Sequence, residues 1–148
     1  MSQTGRRKSV PPPVVALVTW LVPGSGYWLL GQRARALTVG VTIIVLFVLG
    51  LLIGGVRVVD PPESYSGNPM RIVFDKPWFV GQILAGPMAL ATAAVTENSK
   101  GPNPWCVLYS SHSRSNEIGT LYTAVAGMLN LLAIINATHR AGQKEEAR

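Results

Sequence analysis

Charge is scarce in this 148-residue chain. Four apolar stretches, Val14–Leu30, Ala36–Val56, Trp78–Val95 and Ile118–Ala137, contain no Asp, Glu, Lys, Arg or His. Charged residues make up 14% of the chain, against roughly 25% in ordinary soluble domains. Ion-coupled transport and membrane-embedded hydrolysis need groups that exchange protons or stabilise charge, so the absence argues against both. Cysteine is scarcer still. Cys106 stands alone, which excludes an intramolecular disulfide, and one Cys with His112 and His139 does not make a zinc site.

Other signals of chemistry are incomplete in the same way. Gly24-Ser25-Gly26 lacks the preceding strand and following Lys of a phosphate-binding loop. Ser110, Ser111 and Ser113 surround His112 without a third partner to orient the imidazole. Asn136-Ala137-Thr138 matches a glycosylation sequon but falls at a membrane exit on the expected cytoplasmic side. The surplus of six positive charges is scattered and draws no compact basic face, so anionic lipid headgroups explain it better than nucleic acid. The sequence predicts no catalytic, cofactor-binding or metal-binding residue. An enzyme would need His112, Glu117 or Cys106 to gather at one cleft.

What is present is apolar length. The 21 residues of Ala36–Val56, read as a helix, reach about 31 Å at roughly 1.5 Å per residue, the thickness of a bilayer's hydrocarbon core. Val14–Leu30 is shorter and broken by Pro23-Gly24-Ser25-Gly26, Trp78–Val95 contains Pro87, and Ile118–Ala137 is uninterrupted by proline. Membrane helices tolerate both Pro and Gly. The expected fold is an all-α membrane protein of four transmembrane helices, the first broken at Pro23–Gly26. Its spans run about 14–30, 36–57, 78–96 and 118–138, within a membrane domain of residues 14–138. A basic segment precedes it at residues 1–13, and a charged tail follows at residues 139–148. Arg6-Arg7-Lys8 ahead of Val14–Val22 has the look of a secretory signal, but Arg33 and Arg35 are poor neighbours for cleavage and the segment is expected to be retained. No internal repeat is evident.

Orientation follows from Lys and Arg in the short connections. With four spans and both termini in the cytoplasm, nine lie inside (Arg6, Arg7, Lys8, Arg57, Arg71, Lys76, Arg140, Lys144, Arg148) and four outside (Arg33, Arg35, Lys100, Arg114). If the first segment dips in and returns, the split is seven against six and carries no orientation. Arg33 and Arg35 resist the four-span reading, because they crowd a very short outer connector. Between the spans, residues 60–77 carry turn chemistry and Arg71–Phe74 reads as a short strand or interfacial patch. Trp78, Trp105 and Tyr109 are placed for the headgroup level.

Small residues recur at helical spacing. Gly50 and Gly54 stand four apart, as do Ala85, Ala89 and Ala93, and Gly119, Thr123 and Gly127. In lipid such ladders allow close helix contact, here within the domain or with a second copy. Gln82 and Asn130 are the notable intramembrane polar residues, each needing a hydrogen-bond partner.

The motif Pro23-Gly24-Ser25-Gly26-Tyr27-Trp28-Leu29-Leu30-Gly31-Gln32-Arg33 resembles the opening of the two-transmembrane-helix domain family. This chain lacks the acidic and aromatic residues of that family's inter-helix turn, so no function carries over. More of the chain, including Glu117–Tyr122 and Ala126–Leu132, resembles an uncharacterised bacterial integral membrane family of domain-of-unknown-function type. The resemblance implies a multi-pass protein of the bacterial cytoplasmic (inner) membrane and no established activity. The expected function is a non-enzymatic scaffold or accessory subunit that binds the bilayer and other membrane proteins or itself, without cofactor. The alternative is a small channel or permease subunit, with Asn130, Gln82 and the Pro23–Gly26 break lining a path.

Overall fold

The structure is a computed structural model and describes residues 10–55, 58–59, 77–98 and 113–146. Among these residues there are six helices and no strand: α1 (Pro12–Leu21), α2 (Ser25–Leu29), α3 (Arg33–Gly54), α4 (Pro77–Ile83), α5 (Pro87–Asn98) and α6 (Ser113–Glu146). Prolines open three of them, at Pro12, Pro77 and Pro87, where a missing N–H is harmless and the fixed φ suits a helix. Cys106, His112, Ser110, Ser111, Arg71–Phe74, Trp105 and Tyr109 lie outside the described residues.

The first apolar segment is not one broken span. Val22, ahead of Pro23, is held extended at φ −131 and ends α1. Gly24 then adopts φ +84, a conformation that only glycine enters without strain. The chain folds back, so that Gly26 packs against Thr19 and Val15 of α1, and Ser25 Oγ donates to the Val18 carbonyl at 2.7 Å. The Gly24 backbone lies against α3: a side chain there would meet the Ala36 carbonyl oxygen at 2.5 Å. α1 and α2 thus form a hairpin whose tip touches α3 at Ala36 and Gly40.

The third apolar segment is likewise divided. α4 ends at Ile83, Gly86 takes φ +85, and Pro87 starts α5. α5 packs chiefly against α4. The chain therefore repeats one plan twice, two short helices joined through a positive-φ glycine and then a long helix, although no sequence repeat announces it. The long helices run antiparallel: Gly50 lies against Thr123, and Gly54 against Gly119 and Ser115. This pairing corrects the expected arrangement of the arginines. Arg33 and Arg35 at the start of α3 sit at the same end of the molecule as Arg140 near the end of α6, where the four-span reading put them on opposite sides. The charged tail continues α6 as helix to Glu146.

α6 is the central element, packing along α1, α3 and α4. What it meets there is small. Alanines 124, 126, 133, 137 and 141 are buried, as are Gly119 and Gly127. Phe47, Ile43 and Phe79 are buried, but the leucines face outward: Leu52 is 76% exposed, Leu17 66% and Leu132 61%. A soluble domain puts its leucines inside, and this molecule reverses that distribution.

Candidate functional site

The polar groups of the interior gather where α4 meets α6. Gln82 is 2% exposed, and its Nε2 donates to the Val58 carbonyl at 3.0 Å and to Thr123 Oγ1 at 2.8 Å. Thr123 Oγ1 in turn donates within its own helix to the Gly119 and Thr120 carbonyls, at 3.1 and 3.0 Å. One side chain therefore ties α4 to α6 and to the residues that follow α3. Close approach makes this possible: Gly127 packs on the Gly81 carbonyl, and Gly81 faces Ala124.

About two turns along α6 from Thr123, Asn130 Nδ2 donates to the Leu84 carbonyl at 2.9 Å. Leu84 belongs to the break between α4 and α5, where the helical ladder is interrupted and a carbonyl needs an outside donor. Gly86, two residues on, packs against the Trp20 carbonyl at the end of α1. The α4–α5 break thus lies between Asn130 and the C-terminal turn of α1. Asn130 Oδ1 is buried and has no hydrogen-bond partner among the described residues. Asn116 Oδ1 is the other buried side-chain acceptor in that condition.

Most sequence-predicted positions come together, in separate contacts. Gly50 and Gly54 meet Gly119 and Thr123 at the α3–α6 crossing, and Gly127 meets Gly81 and Ala85 at the α4–α6 crossing. Ala85, Ala89 and Ala93 are buried within this chain. The Pro23–Gly26 break lies against α3, away from Gln82. No group of His, Cys, Asp and Glu suited to a metal ion occurs among the described residues.

Sequence reasoning missed the polar role of Thr123 and the break at Leu84–Gly86. The Gly86-Pro87 dipeptide was the available signal for the break. It also missed a pattern in the threonines. All eight described ones, at 19, 38, 42, 92, 96, 120, 123 and 138, donate to the carbonyl four residues back. That bond leaves no hydroxyl proton unsatisfied where water is absent.

Fold and polar seam together define the class: an all-helical protein, with two helices, Arg33–Gly54 and Arg114–Gln143, long and apolar enough to cross a membrane by length and composition. Glycine and alanine contacts and two buried amides hold these helices to their neighbours. The chain belongs to the family of unknown function DUF6677, which it matches over residues 14–147. No curated protein and no solved structure matches it.

Proposed function

We propose that this is an integral protein of a bacterial cytoplasmic membrane, non-enzymatic, acting as a scaffold or accessory subunit. The observation that carries the membrane reading is the reversed burial. The most apolar windows of the two long helices are only 28% and 39% buried within the chain, whereas the core helix of a soluble protein would be mostly covered. Lipid is the solvent that suits leucines outside and small residues inside.

In this reading α3 and α6 cross the bilayer. The α1–α2 hairpin enters from the side on which α3 begins, and α4–α5 enters from the other. By chain connection, Arg6, Arg7, Lys8, Arg33, Arg35, Arg140, Lys144 and Arg148 share one side with Glu145 and Glu146. The five remaining bases and five remaining acids fall on the opposite side. The whole surplus of six positive charges then belongs to one face, which the positive-inside rule makes cytoplasmic. Both termini stay inside and Arg33 and Arg35 join them, so their awkward outer position disappears. Single cysteines at Gly31 and Gln143, in a background lacking Cys106, are expected to label from the same, cytoplasmic side of intact cells. Native Cys106 is expected to label from outside. Labelling of Gly31 and Gln143 positions from opposite sides would sink this topology.

Support for a scaffold comes from how the polar groups are used. The described threonines and both amides bond to helix backbone or to each other, and no Asp, Glu, Lys, Arg or His is buried among the described residues. The full chain, tagged and extracted in mild detergent, is expected to carry other membrane proteins or a second copy with it. Recovery as a lone monomer would count against the scaffold. One observation favours a permease subunit as the second reading: the α4–α5 break lies beside the unpartnered Asn130 Oδ1, and discontinuous helices form binding sites in transporters. Ion or solute flux through proteoliposomes of the purified protein, lost in Asn130→Leu, would favour it over the scaffold.

A further inference from the structure

We infer that the groove between α3 and α6 at the basic end is a binding site for one anionic phospholipid of the surrounding bilayer. This rests on the membrane reading above and is independent of the scaffold. The groove has a volume of about 320 Å³. Thr38, Val39 and Ile43 form one wall, and Leu129, Leu132 and Ala133 the other. An acyl chain suits such a lining.

Two features distinguish this groove from an ordinary furrow between helices. First, Tyr27 of α2 lines it, with 2% of the residue exposed. Its O–H is a donor, and the ester carbonyl of a glycerolipid is an acceptor at the matching boundary between chain and headgroup. Second, the mouth is basic. Arg35 stands one turn from Val39, and Arg140 one turn from Asn136, which also lines the groove. Arg140 Nε donates to Asn136 Oδ1 at 2.9 Å and Arg35 Nη1 to Gln32 Oε1 at 3.1 Å. Each guanidinium carries five N–H donors, so these single bonds leave others for a phosphate. No carboxylate lies on α3, and α6 brings its nearest only at Glu145 and Glu146.

A second groove, of about 220 Å³ beside Pro23 and Gly24, is lined by Trp28, with the Arg33 guanidinium 5.9 Å from its ring centroid. Its Ser25 hydroxyl already donates to the Val18 and Val22 carbonyls. The chemistry of the first groove therefore reads, from its depth to its mouth, as chain, ester and phosphate.

The test is native mass spectrometry of the full chain, titrated in detergent with dioleoyl phosphatidylglycerol or dioleoyl phosphatidylcholine. One phosphatidylglycerol is expected to be retained in preference to phosphatidylcholine. Arg35→Gln with Arg140→Gln should weaken phosphatidylglycerol by about tenfold or more while leaving phosphatidylcholine unchanged. Thr42→Trp fills the groove from an exposed position and should abolish retention of both. Tyr27→Phe should weaken both lipids, with the melting temperature of each variant in detergent confirming that it is folded. Equal retention of the two lipids, or retention unaffected by Thr42→Trp, overturns the site. Carbonate extraction from vesicles separates this from the parent reading: a protein washed off the bilayer fails as a membrane protein, whereas one that stays inserted without lipid preference fails only as this site.

Discussion

Gly119→Val is expected to separate the two long helices and leave no folded protein in mild detergent. Even a methyl group at Gly119 would lie 2.6 Å from the Gly50 carbonyl oxygen and 2.7 Å from Gly54 Cα. Both are backbone atoms of α3, so no side chain can rotate away. The helices must move apart, and each lost contact in the ladder follows. Overpacking by one methylene or so costs about 1–3 kcal/mol, and valine adds more than that to a contact between backbones. Gly142→Ala is the control, because nothing lies within 4 Å of the added carbon. It should be neutral, or stabilise by up to about 1 kcal/mol through helix propensity. Unfolding by heat or by a denaturing detergent, followed by circular dichroism, measures both. If Gly119→Val melts with the parent, α3 and α6 do not pack through these glycines.

The second large effect is expected from Gln82→Ala, at about 2–4 kcal/mol of stability. Gln82 is among the largest fully buried side chains, so truncation leaves a cavity where neighbouring backbone cannot collapse. It also removes the donor to the Val58 carbonyl and Thr123 Oγ1. In a protein with Gly127 on the Gly81 carbonyl, α4 has little room to settle inward. Gln82→Met keeps the volume and discards the hydrogen bonds, so it isolates the polar share. That share should be smaller, about 1 kcal/mol, since hydrogen bonds between membrane helices contribute modestly. A double-mutant cycle with Thr123→Val should give a coupling of at least about 0.5 kcal/mol. Additivity of the two substitutions would show that the Gln82–Thr123 bond joins nothing.

Much of the helix inventory was legible in the residues. Uncharged runs marked α3 and α6, whereas Pro87, read as lying inside one span, opens a separate helix, α5. The small-residue ladders at Gly50–Gly54 and Gly119–Thr123–Gly127 were legible too, because fourfold spacing on a helix places them on one face. Which face they meet was not legible. Gly50 could approach a second copy or this chain's own α6 with the same spacing, and only the tertiary contact with Thr123 assigns it to the latter. The donors of Gln82 and Asn130 were expected to need partners, yet the partners are 41 and 46 residues away in the chain. No local pattern encodes pairings at that distance.

The sequence by itself determined the interior chemistry. A chain without Asp, Glu, Lys, Arg or His in its apolar stretches places no charge there near neutral pH, whatever its arrangement. Direction was decided by tertiary structure. A Pro-Gly break permits either a kink that continues across or a reversal, and both satisfy the local backbone. Reversal at Gly24 follows from Gly26 fitting against Thr19, with Ala137 of α6 closing over the same position at 3.1 Å. That contact joins residues more than a hundred positions apart. It sets the ends of α1, α3 and α6 on one side, and with them the arginines.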